Sequence, residues 1–217
     1  MAIALGQTKR TGSAFGTTDT LAFDSAPGAT DLILLGLFKE SSAAVTLPSG
    51  FTLIGTYLNT GATYQTTLAY KYNDTGNSYQ FSWSGNAVHQ AFGTTWTGVN
   101  ASTPIDVAGA SWQEANFSAL TVTGVTTATD NAMHLVIAYN SHSNSASALS
   151  GYTLIFGDGQ KEAVWYKLIT PAGATGDKTV DLGTEFWCQG FGLALRPVAA
   201  GGSLVYDPAP MGYLLVR

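Results

Sequence analysis

The sequence predicts an all-β protein, a jelly-roll-type antiparallel β-sandwich built from an internally duplicated unit of about 100 residues. Short segments rich in Val, Ile, Thr, Tyr, Phe and Trp alternate with turns rich in Gly, Asn, Asp, Ser and Pro, as strands and tight connections do. No window carries the apolar stripe of a helix. A seven-residue phrase, SGFTLIG at 49–55, returns as SGYTLIF at 150–156. These observations together predict a duplicated β-fold.

The similarity between the two units extends well beyond that phrase. Matching pairs of segments are DLILLGLF at 31–38 with NAMHLVIAY at 131–139, LAYKYN at 68–73 with VWYKLI at 164–169, and TGNSYQFSW at 75–83 with TGDKTVDLG at 175–183. In the first unit we predict strands at about 19–24, 31–39, 51–58, 65–73, 78–84 and 88–98. In the second unit we predict strands at about 117–123, 132–140, 152–157, 161–169, 178–182 and 185–196.

The last strand of each unit has one bulky face and one face of small residues, because side chains alternate along a strand. The bulky faces carry Val88, Gln90, Phe92, Thr94 and Trp96 in one unit and Trp187, Gln189, Phe191, Leu193 and Leu195 in the other. We expect both bulky faces to lie between the sheets. Gln90 and Gln189 are then buried amides that tie strands or loops together, or a pair that contacts a ligand. In each copy of the repeated phrase, the aromatic residue and the leucine are expected to enter the core.

The domain organisation predicted is an N-terminal arm at 1–18, one duplicated sandwich at 19–199 and a C-terminal docking tail at 200–217. The halves span about 19–99 and 117–198, and 100–116 is expected to be a connecting loop; two separate sandwiches are the alternative. The tail is too apolar to be left exposed, so it docks on its own sandwich or on a neighbour. Its predicted docking residues are Leu204, Val205, Tyr206, Met211, Tyr213, Leu214 and Leu215.

Charge and hydropathy argue against two classes of partner. The net charge is −5 with no basic patch, so we expect no nucleic-acid binding. The strongest apolar run, LILLGLF at 32–38, is too short to span a bilayer, so we expect no membrane insertion. The segment MAIALGQTKR lacks the pattern of a secretory signal, and the single cysteine, Cys188, fits synthesis in a reducing cytoplasm.

Catalytic and cofactor motifs are absent from the sequence, so neither enzymatic activity nor a cofactor is predicted. His134 lies within an apolar strand and is expected to be a hydrogen-bonded core residue. His89 aligns with Cys188 across the duplication, which favours packing over metal binding, because two ligands do not make a structural site. Aromatic residues offer either a sugar-stacking surface or filling for a wide sandwich. The candidates for glycan stacking are Tyr57, Tyr64, Tyr72 and Trp112.

The combination LPSGFTLIG, TLAYKYN and TWTGVNASTPID resembles β-sandwich domains of tailed-phage virion proteins, over about 31–198. The residues that carry this resemblance are Pro48, Ser49, Gly50, Phe51, Thr52, Tyr70, Lys71, Trp96, Gly98, Val99, Asn100, Pro104, Ile105 and Asp106. Phe51 and Asn100 depart from the pattern, which has Trp and Asp there. The motif residues form turns and strands, so the resemblance implies virion architecture and no catalytic residues.

The resemblance implies a non-enzymatic structural protein of the virion, made in the host cytoplasm. An outer capsid decoration (cement) protein, which stabilises the particle through arm and tail contacts, is the first expectation. The alternative is a tail or fibre component, or an adhesin with a carbohydrate-binding sandwich. The expected partners are major capsid or tail proteins, further copies of the chain in a homotrimer or lattice, and a host glycan.

Overall fold

The computed structural model describes residues 2–199 apart from 60, 62, 110–112, 116–118, 143–145, 158–160 and 184–186, with the backbone alone for 113–115. The described residues form fifteen strands and no helix, which confirms the all-β prediction. The strands are β1 (Ala4–Arg10), β2 (Ala14–Ala22), β3 (Leu32–Lys39), β4 (Val45–Thr46), β5 (Thr52–Leu58), β6 (Gln65–Tyr72), β7 (Ser78–Thr97), β8 (Ile105–Ala108), β9 (Gln113–Ala115), β10 (Ala119–Val122), β11 (Ala132–Asn140), β12 (Thr153–Phe156), β13 (Glu162–Ile169), β14 (Lys178–Asp181) and β15 (Cys188–Leu195).

The two halves have the same strand order, as expected for a duplicated unit. The first sheet runs β1-β7-β3-β6-β5, with β2 and β4 also paired to β7. The second sheet runs β8-β15-β11-β13-β12, with β9 also paired to β15. Both sheets are antiparallel, and a register shift occurs at the same place in each edge strand, after Leu53 and after Leu154. Because a bulge fixes the register of a strand pair, its repetition supports the duplication.

A shared core lies between the two sheets. Leu34 and Phe38 of β3 and Leu135 and Tyr139 of β11 belong to one buried cluster. The bulky faces of β7 and β15 enter the same cluster through Phe92, Trp96, Phe191, Leu193 and Leu195. The predicted position of these faces between the sheets is therefore confirmed.

Smaller layers cover the outer face of each sheet. Leu21 and Phe81 pack against the first sheet in one cluster, while Leu120 and Val180 pack against the second sheet in another. A Cβ added at Gly93 would lie 2.8 Å from Leu21 Cδ2, and one added at Gly190 would lie 2.5 Å from Val122 Cγ2. The small-residue faces of β7 and β15 therefore permit the outer layers to approach closely.

The repeated phrase contributes differently from the prediction. Phe51 packs against the outer cluster of the first half, but Leu53 and Leu154 are 50% and 39% exposed and do not enter the core. Ile54 and Ile155 pack against the shared core instead. The reason is that β5 and β12 are edge strands, and their outer faces extend beyond the covering layers.

Two segments that were predicted to be an arm and a connecting loop contain strands instead. Residues 1–18 include β1 and part of β2, and both pair with β7. Residues 100–116 include β8 and β9, which pair with β15 in the way that β1 pairs with β7. These strands were missed because they are short or polar: β1 reads ALGQTKR and β8 reads IDVA.

Candidate functional site

The repeated phrase forms the same lysine–aromatic contact in both halves, which we call the clamp: Lys71 over Phe51 and Lys167 over Tyr152. Lys71 Nζ lies 5.8 Å from the centre of the Phe51 ring, and Lys167 Nζ lies 5.7 Å from that of Tyr152. Gly50 has φ of 78°, a conformation that favours glycine, and a Cβ there would lie 3.1 Å from Lys71 Nζ. The Ser-Gly turn thus lets a lysine on the adjacent paired strand pass over it, in cation–π contact with the aromatic ring.

Two aligned amides connect the sheets. Gln90 Oε1 accepts a hydrogen bond from Lys161 N at 2.9 Å, and Gln90 Nε2 donates to Thr11 O at 2.8 Å. Gln189 Oε1 accepts a hydrogen bond from Thr66 Oγ1 in the first sheet. Since each glutamine reaches the opposite sheet, the pair ties the halves together, which agrees with the structural interpretation of these residues.

The sugar-stacking candidates do not form one exposed row. Tyr64 is stacked between Phe38 (6.0 Å between ring centres) and Trp187 (4.6 Å), so both of its faces are covered. Tyr57 is half-buried near the end of β5, whereas Tyr72 lies at the opposite end of the β5–β6 pair and packs against the shared core. Trp112 lies outside the described residues.

Charged residues lie beside the aromatic stack of Phe38, Tyr64 and Trp187. Lys161 Nζ is 2.9 Å from Glu40 Oε1 and also donates to Ser141 O. Lys39 is fully buried, its Nζ donates to Ser41 O at 2.6 Å, and burial lowers the pKa of its ammonium group to about 8. A polar groove of about 400 Å³ opens here, and its lining residues are Glu40, Ser41, Ser42, Thr63, Tyr64 and Asn86.

The resemblance motif around 96–106 forms the joint between the halves. Asn100 Oδ1 accepts hydrogen bonds from Ser102 N and Thr103 N, both at 3.0 Å, and closes a turn. The buried carboxylate of Asp106 accepts from Arg196 Nε at 3.1 Å and from Ala128 N at 2.7 Å. These residues hold the connector against the second half.

Both ends of the described chain meet at this joint. Val99 pairs with Pro197, and Val198 N donates to Gly98 O at 2.9 Å. Gly98 has φ of 71°, and a Cβ there would lie 2.3 Å from the carbonyl oxygen of Ala2. The N-terminal residues, the connector and residues 197–198, which precede the tail, therefore share one pole of the molecule. The docking residues predicted at 204–215 lie outside the described residues.

The aligned pair His89 and Cys188 is buried, as packing requires. The Nδ1 atom of His89 is 3.0 Å from Ala87 O, and its Nε2 atom is 3.9 Å from Asp19 Oδ2. Burial raises the pKa of Asp19, while the hydrogen bond from Thr11 and the charge of His89 lower it. Within the part of the chain that the structure describes, no three His, Cys, Asp or Glu side chains are grouped to hold a metal ion.

A second pocket, of about 300 Å³, lies on the outer side of the second half. Its polar wall consists of Ser150, Tyr152, Lys167, Thr170, Thr175 and Lys178. Sequence reasoning missed it, although a position-by-position comparison of the two units holds the signal: where the first unit has Asp74, the second has Thr170.

Comparison with protein-family models, curated proteins and solved structures finds no match to this chain. Among the described residues there is no helix long and apolar enough to cross a membrane.

Proposed function

We propose that the chain is a non-enzymatic structural protein of a phage virion, an outer capsid decoration protein that contacts its neighbours through its terminal segments. The observation that carries this proposal is the convergence of Ala2, Gly98 and Val198 at one pole. One pole of the sandwich can therefore face a lattice, where the segment after Val198 binds, while the opposite pole faces the surroundings.

Three further features support this assignment. The resemblance residues Asn100 and Asp106 build the joint from which the tail leaves. Val198, close to the end of the described chain, is 40% exposed and precedes the apolar segment 204–216 in the sequence. Leu53 and Leu154 place exposed apolar side chains on equivalent edge strands, where an unpaired strand edge can receive another chain.

Deleting 200–217 tests the proposal. The variant is expected to fold with unchanged thermal unfolding and to be lost from purified particles, as measured by quantitative mass spectrometry. A matched pair refines the test: Leu204→Ser with Tyr213→Ser should reduce incorporation, whereas Asp207→Asn should leave it unchanged. Normal incorporation of the deletion variant into particles would contradict the proposal.

A tail or fibre component is the alternative position in the virion. The same terminal segments would serve it, because lattice docking and tail docking both need an apolar end. Separating purified heads from tails before the mass spectrometry distinguishes the two locations.

A further inference from the structure

We propose that the pocket around Tyr152 binds an anionic sugar residue, with Lys167 and Lys178 receiving its carboxylate. This goes beyond the virion role and does not depend on it, since binding is a property of the isolated chain. Of the residues chosen from sequence for glycan stacking, the three that the structure describes, Tyr57, Tyr64 and Tyr72, do not line this pocket.

The two ammonium groups converge on one ring. Lys167 Nζ lies 5.7 Å and Lys178 Nζ 5.9 Å from the centre of the Tyr152 ring. Backbone carbonyls hold Lys178 in place, including that of Gly176 at 2.8 Å. Burial and then the charge of Lys167 lower the pKa of Lys178, so the two cations repel each other. An anion between them would relieve this repulsion.

The first half gives an internal comparison for this site. Lys71, the counterpart of Lys167, is neutralised by Asp74 at 2.5 Å. In the second unit the aligned residue is Thr170, which has no charge. Substitution of the carboxylate leaves Lys167 without the ion pair that its counterpart has.

A second change adds to the positive charge. Phe51 of the first half is packed edge-on against Tyr79, with ring centres 5.2 Å apart. The corresponding aromatic of the second half, Tyr152, has the ammonium group of Lys178 at 5.9 Å from its ring centre. The charge of Asp177 acts on Lys178, but the Oδ1 atom of Asp177 already accepts a hydrogen bond from Gly124 N at 2.9 Å. Both differences between the copies therefore make the second site more cationic, within a chain of net charge −5.

The remaining lining favours a sugar over a simple ion. The hydroxyl-bearing residues Ser150, Thr170 and Thr175 line the pocket together with the two lysines and Tyr152. Sugar rings are recognised by hydroxyl hydrogen bonds and by an aromatic surface, and the volume is at the lower end for small-molecule sites. A uronic-acid residue of a surface polysaccharide combines these features with a carboxylate.

The test uses the full chain and a matched pair of probes, an oligogalacturonate and its fully methyl-esterified form, in calorimetric titrations. The acid form should bind and the ester should not. Lys167→Gln with Lys178→Gln should weaken binding about tenfold or more, because two charge-assisted contacts are lost. Thr170→Asp, which restores the carboxylate of the first half, should have a similar effect, whereas Lys71→Gln should have none. Thermal unfolding of each variant checks that it is folded.

Several outcomes would overturn the proposal. They are no binding of the acid form, equal binding of the ester, or an equal loss of affinity in Lys71→Gln. Titration with inorganic phosphate is a further test. If phosphate binds as tightly as the oligogalacturonate, the pocket selects a small anion and the sugar assignment is wrong. Loss of particle incorporation has no bearing on these titrations, so the two proposals fail separately.

Discussion

His134 illustrates at the residue scale how the two copies have diverged. Its counterpart in the first half is Ile33, and both lie opposite the lysine of the clamp. The His134 side chain is buried, and its Nδ1 atom lies 2.6 Å from the hydroxyl of Tyr152. Burial raises the pKa of Tyr152 to about 12, so this hydroxyl stays protonated and shares a hydrogen bond with the neutral imidazole of His134.

Acid should destabilise the protein through His134. Burial, then the charges of Lys178 and Lys167, lower the pKa of this imidazole from 6.5 to about 4. Between these values the unfolded chain binds a proton that the folded chain does not, so stability falls as the pH decreases from 6.5 towards 4. The loss attributable to His134 is about 3 kcal/mol, from 1.36 kcal/mol for each pKa unit. Urea unfolding at pH 7, 5.5 and 4.5 measures it.

The matched control for this prediction is His134→Ile, which reproduces the first half. This variant should show a shallower decline in unfolding free energy over the same pH range. An equal decline in both proteins would show that other groups cause the acid sensitivity.

At the scale of elements, the two edge strands β5 and β12 carry apolar side chains that are exposed to other chains. Each carries an exposed leucine and a half-buried isoleucine at equivalent positions. Because Leu53 and Leu154 are already 50% and 39% exposed, their replacement removes less buried apolar surface than replacement of a core residue does.

Leu53→Ser and Leu154→Ser should each change the unfolding free energy by less than about 0.5 kcal/mol. Ile54→Ser and Ile155→Ser should lower it by about 1–2 kcal/mol, since these side chains pack against the shared core. Chemical denaturation of the four variants checks this contrast. A large effect of the leucine substitutions would mean that these side chains are covered in solution.

Sequence reasoning identified the interior strands well, because their β-rich composition and turn boundaries are strong local signals. Strands β3 and β11 were predicted within a residue of their observed bounds. Strand β7 was predicted as two strands, at 78–84 and 88–98, with a break at 85–87. Gly85 does have φ of 74°, but the pairing with β2 resumes at Ala87 after a register shift.

The candidate sites were harder to predict from the sequence, because they depend on which face of each sheet is covered by an outer layer. The phrase SGFTLIG has the same pattern whether Leu53 faces a covering layer or solvent. The clamp of Lys71 over Phe51 joins residues on different elements, and only the fold brings them together. The pocket at Tyr152 likewise depends on Lys178, which comes from the outer layer.

At the scale of the whole molecule, the shared core makes the two halves one unit. Leu34 and Leu135 are equivalent, fully buried residues on the central strands of the two sheets, and both lie in that core. Neither half can therefore bury its inner sheet face without the other. This arrangement predicts one cooperative unfolding transition.

Leu34→Ala and Leu135→Ala should each lower the unfolding free energy by about 3 kcal/mol while the transition stays single. Differential scanning calorimetry, with Leu154→Ala as an exposed control, provides the measurement. Two separate transitions in either variant would indicate that the halves unfold independently.

The proposed location in the virion is the central claim about function, and electron cryomicroscopy of purified particles tests it most directly. The account predicts density for the sandwich at regular positions on the outer capsid, with the pole at Gly98 and Val198 facing the lattice and the pocket at Tyr152 accessible from outside. Particles that lack this density on head and tail alike would contradict the account.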